Sequence, residues 1–306
     1  MAVLALLHTA NFLEKNMHDH SQHDSSNRMG WAFFLNLSFT IIEFIGGWLT
    51  NSTAIMADAV HDLGDSLSIG SAWVLNKLGQ KKANQKFTYG YRRLSLLGAL
   101  INGLVLTAGS IWILTEAIPR LFDPVMPHTQ GMLALAVLGM AVNGYAAYKL
   151  SMGKTLNERV LNWHLLEDVL GWVAVFVVAL VMQFVEWPIL DPLLSIGFTL
   201  FILINVIRNL WETAHLFTQG TPDTEELKKI ECSLLDIQNV ESIHHLHLWS
   251  LDGEHHVLTA HIRVSSLITI EEYMALKTAI NSVLEPKELE HTTIEIELNQ
   301  EMCRDI

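Results

Sequence analysis

Six long apolar stretches constrain this chain more than any other feature of its sequence. Crossing the roughly 30 Å hydrocarbon core of a bilayer takes about 20 helical residues, and each stretch is long enough. Half of the residues are hydrophobic and only 17% are charged, which leaves too few polar groups for an ordinary soluble surface. The predicted membrane spans are Met29–Thr50, Ala54–Lys77, Ser95–Leu121, Gly131–Leu150, Trp163–Val185 and Ile189–Leu210.

The negative charge is concentrated at one end of the chain. Residues 221–306 hold seventeen acidic and six basic residues, so they carry −11 of the net charge of −13. An acidic, water-soluble domain therefore follows a nearly neutral membrane region. We predict an α-helical membrane protein with a flexible His-containing segment at 1–28, a six-helix transmembrane domain at 29–212 and a cytosolic α+β domain at 213–306.

The acidic domain has the pattern of a small α+β sandwich with a three-stranded sheet. Gly220-Thr221-Pro222-Asp223 is typical of a turn into a helix start, and residues 292–298 alternate as a half-buried strand does. The predicted order is αββαβ, with helices at Glu225–Leu235 and Ile270–Leu284 and strands at Ser242–Ser250, His256–Val264 and Thr292–Leu298.

Basic residues in two of the short loops predict the orientation in the membrane. Such residues accumulate on the cytoplasmic side, so these loops and both termini are expected in the cytoplasm, with the spans in the cytoplasmic (inner) membrane. Cys232 and Cys303 lie far apart in the acidic domain and form no disulfide framework, as suits a reducing compartment. The basic loop residues are Lys81, Lys82, Lys86, Arg92, Arg93, Lys154 and Arg159.

Two of the apolar stretches contain the same ionisable motif, His61-x-x-x-Asp65 in the second and His164-x-x-x-Asp168 in the fifth. Residues four apart share a helix face, so two facing helices would offer two nitrogens and two oxygens to a tetrahedral zinc ion. Ionisable groups at membrane depth cost roughly 2.5–3.5 kcal/mol each, so a matched set favours a bound cation over stray polar pairs. Imidazole ligands favour Zn²⁺ and its neighbours over Mg²⁺ or Ca²⁺.

Three other polar residues interrupt the apolar stretches. Asn102 and Asn143 are expected to form hydrogen bonds between helices or to line a water path. Glu43, in the first stretch, is a candidate for proton or cation access.

The paired motifs, the loop Tyr89-Gly90-Tyr91-Arg92-Arg93 and the segment His244-His245-Leu246-His247-Leu248-Trp249 resemble the zinc-type branch of the cation diffusion facilitators over nearly the whole chain. The resemblance implies a homodimeric transporter, not an enzyme, that exports Zn²⁺ against inward proton flow through His61, Asp65, His164 and Asp168. Its expected partners are Zn²⁺, protons, the lipid bilayer and a second copy, with no nucleic acid. The loop 83–88 lacks the Asp and His that bind an extra metal in some members.

Matching the family's cytosolic metal ligands points to His244, His261 and Glu297, with His291 as a further candidate. Alternation places His261 and Glu297 on polar strand faces, but it sets His244 in line with buried leucines unless the strand carries a bulge. Zinc bound here is expected to act as a regulatory ligand that draws two acidic domains together; solvated histidines are the alternative. The N-terminal residues His18, His20 and His23 form a flexible cluster that could collect metal weakly.

Two other functions fit intramembrane metal ligands. A membrane metalloenzyme needs an open coordination position and a base, as in His-Glu-x-x-His, and that motif is missing from the sequence. A metal sensor would bind without moving the ion, and it stays open. So do the ranking of Zn²⁺ against Cd²⁺, Co²⁺, Fe²⁺ and Mn²⁺ and the number of protons moved.

Overall fold

The computed structural model describes residues 33–79, 83–151, 156–265, 269–287 and 289–304. The backbone alone is described at some helical positions, which include 156–164. The N-terminal cluster of His18, His20 and His23 lies outside the described residues. Two compact units form, one from residues up to Lys77 with Ile101–Leu210, the other from Leu78–Leu100 with residues from Trp211 onward.

The first unit is built from long helices, as the apolar stretches predict. Within the described residues, five helices are long and apolar enough to cross a membrane. The helix at Thr53–Gly79 is also long enough, at roughly 1.5 Å per residue, but it carries three aspartates. The predicted six-helix architecture is confirmed. The helices are α1 (Phe33–Thr50), α2 (Thr53–Gly79), α3 (Leu94–Ala117), α4 (Thr129–Ser151), α5 (Leu156–Phe184) and α6 (Leu190–Phe217).

Trp172 is at the centre of the largest buried cluster of this unit. Its indole is 1% exposed and meets Phe39 of α1 edge to face, with ring centroids 6.1 Å apart. Gly139 of α4 lies against the same indole, and a side chain at that position would clash with it. Small residues at such contacts let membrane helices approach closely, and here the contact joins α4 to α5.

The C-terminal part of the second unit has the predicted αββαβ order. Strand β1 (Val240–Ser250) pairs antiparallel with β2 (His256–Val264), and β2 pairs parallel with β3 (Leu289–Leu298) because helix α8 (Ile270–Leu284) carries the chain across the sheet. Side chains such as Ile230, Leu258 and Leu276 form a buried core between helices and sheet. The elements are α7 (Thr224–Leu235), β1 (Val240–Ser250), β2 (His256–Val264), α8 (Ile270–Leu284) and β3 (Leu289–Leu298).

Local capping explains where the two helices of this domain begin. Asp223 accepts hydrogen bonds from the backbone amides of Glu225 and Glu226, at 2.8 and 3.2 Å. Thr269 and Glu272 form a capping box at the start of α8. Each cap satisfies amides that the first helical turn leaves without partners, and acidic residues in that turn complement the helix dipole.

The start of α2 is capped by a carboxylate from another helix. Asp191, near the start of α6, is 1% exposed and accepts hydrogen bonds from the Thr53 amide and hydroxyl, at 2.7 and 2.8 Å. The Ala54 amide and the Ser52 hydroxyl also donate to it. Helix α2 carries the first of the two motifs. By fixing where this helix begins, Asp191 helps to position that motif.

We expect Asp191→Ala to lower the free energy of unfolding by about 1–3 kcal/mol, because it leaves buried donors at the start of α2 without an acceptor. Thermal unfolding of the detergent-solubilised protein would measure the loss. Asp191→Asn keeps one acceptor oxygen and should lose less. Equal melting temperatures for Asp191→Ala and the unchanged protein would contradict the role of this cap.

Candidate metal sites

The His-x-x-x-Asp motif of α2 forms a close pair on one helix face. His61 Nε2 lies 3.6 Å from Asp65 Oδ2, and the two side chains are 27% and 24% exposed. The imidazole and the carboxylate are therefore both only partly buried.

The second motif lies on α5, and Asp168 is its described side chain. It is partly buried and interacts electrostatically with Asp58 of α2. His164 belongs to the same helix, but its side chain lies outside the part that the structure describes. The two helices touch one turn away, where a Cβ on Gly171 would lie 3.8 Å from Asp58 Oδ1. The face of α5 that carries Asp168 therefore meets the face of α2 that carries Asp58.

This contact suggests which positions of the two helices face each other. Successive membrane-crossing helices alternate in direction, so α2 and α5 are antiparallel, and Ile55, near the start of α2, belongs to the same buried cluster as Ala179, near the end of α5. Both helices rise by about 1.5 Å per residue, so a step forward along α2 would match a step back along α5. Counted from Asp58 and Gly171, position 61 would lie opposite 168 and position 65 opposite 164.

Three further carboxyl groups accompany the pair, and only Glu43 among them was predicted to have a role. Glu43 of α1 is fully buried and interacts with Asp58 and Asp62, which are 8% and 4% exposed. The sequence already indicated that Asp58 and Asp62 lie beside the motif, because positions 58, 62 and 65 have the spacing of one helix face. The acidic face of α2 therefore extends beyond the His61–Asp65 motif.

The two intramembrane asparagines differ. The Asn102 side-chain amide of α3 donates to the Ser68 hydroxyl of α2 at 2.6 Å, so the predicted interhelical hydrogen bond is confirmed there. Asn143 of α4 is buried, but its side-chain nitrogen has no partner among the described residues. Its role stays a prediction.

A second cluster of ligand-type side chains lies on the sheet of the cytosolic domain. His244 of β1, His261 of β2 and Glu297 of β3 come together there. Glu297 Oε1 is 2.8 Å from His261 Nδ1 and 3.2 Å from His244 Nε2. Adjacent strands supply the three side chains, so the sheet itself holds the spacing between them.

A bulge in β1 gives His244 its orientation. The pairing with β2 shifts between His244 and His247, and His245 has a φ of 47°, in the left-handed region. Two residues of β1 there leave the regular alternation, which turns His244 toward His261, with ring centroids 5.4 Å apart. Simple alternation would have aligned His244 with the leucines.

Burial distinguishes Glu297 from an ordinary surface carboxylate. Its side chain is 3% exposed and His261 is 11% exposed, so neither is solvated, although both lie on the face away from the core. Burial opposes ionisation of Glu297, but hydrogen bonds from His261, Cys303 and His244 outweigh it and lower its pKa to about 2. The cluster therefore holds an ionised carboxylate beside two imidazoles.

Comparison with known proteins identifies the class of transporter. Residues 31–217 match the family model of the cation efflux transmembrane domain, and residues 222–299 match that of the cation efflux protein cytoplasmic domain. The chain belongs to the cation efflux family, the cation diffusion facilitators. The predicted family is confirmed, and with it the prediction of a transporter rather than an enzyme.

Several relatives align along almost their whole length. The chain is 34% identical over 284 residues to the cadmium, cobalt and zinc/H(+)-K(+) antiporter of Bacillus subtilis, covering 92% of this chain and 91% of the relative. It is 34% identical over 293 residues to the zinc transporter ZitB of Pectobacterium atrosepticum, covering 94% and 90%. It is 30% identical over 285 residues to the metal cation efflux system protein CzcD of Cupriavidus metallidurans, covering 92% and 90%.

His291, the further ligand candidate, is exposed and lies in a different contact. Its ring meets Tyr89 of the loop between α2 and α3, with centroids 4.9 Å apart, and Tyr89 also meets Trp249 at 5.6 Å. Arg93 lies over the Trp249 ring, 5.4 Å from its centroid, and Arg92 pairs with Glu290 at 3.3 Å. We call these contacts the loop clamp.

Aromatic and cation–π contacts should hold the loop clamp more firmly than its ion pair. Exposed ion pairs contribute about 0–1 kcal/mol, whereas Trp249 contributes burial together with an aromatic and a cation–π contact. We expect Trp249→Ala to speed amide hydrogen exchange in residues 83–93 and Glu290→Ala to change it little. Tyr273→Ala, on α8, is the control. Similar exchange in Trp249→Ala and Glu290→Ala would contradict this ranking.

Proposed function

We propose that this protein exports Zn²⁺ from the cytoplasm in exchange for protons, as a homodimer in the inner membrane with both termini cytoplasmic. The observation that carries this proposal is the contact between α2 and α5 at Asp58 and Gly171, from which an antiparallel pair would bring position 61 opposite 168 and position 65 opposite 164. The names of the relatives support metal and proton exchange, because they include a zinc/H(+)-K(+) antiporter and a zinc transporter. The spans lie within residues 29–212, between the segment 1–28 and the domain 213–306.

The ligand set suits a cargo that must be bound and then released. Two imidazoles and two carboxylates fill a tetrahedral shell, and the two negative charges balance a divalent ion, which lowers the cost of placing it among apolar helices. Protons compete for the same ligand atoms, and histidine has an unperturbed pKa of about 6.5, near physiological pH. Protons from the outer side can therefore displace the metal and return through the same site.

The neighbouring carboxyl groups suit a part in proton or cation access. Glu43 and Asp58 interact with Asp62, one residue from His61, so several acidic groups surround the proposed site. Carboxyl groups held together among membrane helices can bind and pass on protons. We assign Glu43 to this acidic surrounding rather than to the metal shell.

The proposed regulatory site is the cytosolic cluster of His244, His261 and Glu297. Residues 221–306 carry a net charge of −11, so two such domains in a dimer repel each other. A bound divalent ion reduces that charge and holds groups from three strands together. Cytosolic zinc would then favour the closely associated form of the dimer and tune transport from outside the transport path.

A metal sensor is the remaining rival, and flux decides between the two functions. Asp65→Ala and Asp168→Ala should each abolish Zn²⁺ uptake into proteoliposomes that carry a proton gradient, because each removes a charge-balancing ligand. Glu167→Ala is the matched control, since Glu167 is the exposed neighbour of Asp168 on α5. Zn²⁺ binding without flux in the unchanged protein would favour the sensor. Full flux in either Asp variant would contradict the proposed site.

Metal selectivity should depend on the imidazole at position 61. His61→Asp replaces a nitrogen ligand by an oxygen ligand, which suits oxygen-preferring ions such as Mn²⁺ better, and it removes the imidazole that makes the site less tolerant of large soft ions such as Cd²⁺. We expect the uptake ratios of Mn²⁺ and Cd²⁺ to Zn²⁺ to rise in this variant, measured in the same vesicles with a panel of metals. An unchanged metal ranking at reduced overall flux would show that His61 does not set selectivity.

A further inference from the structure

Cys303 lies beside the cytosolic cluster, although neither the paired motifs nor the strand alternation predicts it as a metal ligand. It follows β3 in the last described residues, and its Sγ lies 3.5 Å from His261 Nδ1. The next residue, Arg304, donates to Glu295 at 2.7 Å, which holds this segment back against the sheet. The thiol is therefore placed over the same face as the two histidines.

The four ligand atoms fit one small ion. One atom each from His244, His261, Glu297 and Cys303 can be chosen so that all lie within 4.8 Å of one another. Zinc bonds of about 2.0 Å to nitrogen and 2.3 Å to sulfur, at tetrahedral angles, place ligand atoms roughly 3.3–3.5 Å apart. The pairs already seen, at 2.8 to 3.5 Å, are close to that spacing.

One oxygen of the Glu297 carboxylate indicates that a cation could bind at this point. Glu297 Oε2 is buried and accepts no aligned hydrogen bond from the described residues, although His244 Nε2 lies 3.0 Å away and the Arg263 guanidinium 3.6 Å away. A simple His–Glu pair would need only one imidazole. Here two imidazoles and a thiol converge on the same carboxylate, as donor atoms do around a shared cation.

We propose that Cys303 is the fourth ligand of the cytosolic site, so that the site is a thiolate-containing His₂GluCys centre. This inference rests on the regulatory metal site proposed above. On binding, the thiol loses its proton to solvent, and the sulfur–metal bond replaces the sulfur–hydrogen bond. Thiolate and carboxylate together balance the charge of a divalent ion, while Arg263 and Glu295 lie at the edge of the cluster, 3.6 Å from Glu297 Oε2 and 3.8 Å from His261 Nε2.

The sulfur ligand also assigns a class of metal. Thiolate favours soft and borderline ions, whereas a His and carboxylate shell alone also accepts harder ones. We therefore expect the cytosolic site to bind Zn²⁺, Cd²⁺ and Co²⁺ and to reject Mn²⁺ and Mg²⁺. The regulatory site would then respond to a narrower set of metals than a site built from nitrogen and oxygen ligands alone.

The test uses the full-length protein in detergent, with Asp65→Ala and Asp168→Ala to disable the transport site, and Co²⁺ as the spectroscopic probe. Bound Co²⁺ should show a sulfur-to-metal charge-transfer absorption. Cys303→Ser should abolish that absorption and weaken Co²⁺ binding at least about tenfold, since even outer-shell changes cost 10–100-fold. Cys232→Ser, at the exposed cysteine of α7, should change neither.

A second measurement needs no cysteine variant. Zn²⁺ should protect Cys303 from a thiol-alkylating reagent and leave Cys232 reactive, with the two sites resolved by peptide mass spectrometry. Suppose that His261→Ala removes Co²⁺ binding, but that bound Co²⁺ shows no sulfur absorption and Cys303 stays reactive. That result would overturn the thiolate ligand and keep the regulatory site. No Co²⁺ binding in the background protein would overturn both.

Discussion

The membrane unit depends on how ionisable side chains are held among apolar helices. Asp58, Asp62 and Asp65 lie on one face of α2, and each would cost roughly 2.5–3.5 kcal/mol at membrane depth without compensation. The helix therefore needs a partner that brings positive charge or a cation. Asp191 fixes where α2 begins, and we propose that a shared cation binds between these aspartates and Asp168 of α5.

A buried carboxylate also needs compensating partners in the cytosolic domain, which is surrounded by water instead of lipid. Glu297 is as inaccessible as Asp58 and Asp62 of α2, and its pKa falls because His261, Cys303 and His244 surround it with hydrogen bonds. In both places we propose that carboxylates held away from water attract a cation. The difference is rigidity: strand pairing fixes the cytosolic ligands, whereas the proposed transport ligands lie on two separate helices, as release of a cargo requires.

Sequence patterns predicted what is local and missed what is long-range. Apolar length gave the helices, capping and alternation gave the αββαβ order, and four-residue spacing gave the His61–Asp65 pair. The bulge at His245 changes the face on which His244 lies. The hydrophobic periodicity of a sequence does not indicate which residue adopts a left-handed backbone conformation. Cys303 was missed because its place depends on a segment folding back after β3, and a lone cysteine carries no spacing signal.

The loop clamp would connect a metal at the proposed cytosolic site with the loop between α2 and α3. Trp249 contacts Tyr89, and five residues earlier in the same strand His244 contacts Glu297. A metal bound to His244 would therefore stiffen the strand that also supplies Trp249 to the clamp. Regulation of this kind would need no metal transfer between the two proposed sites, only a change in how firmly the loop is held.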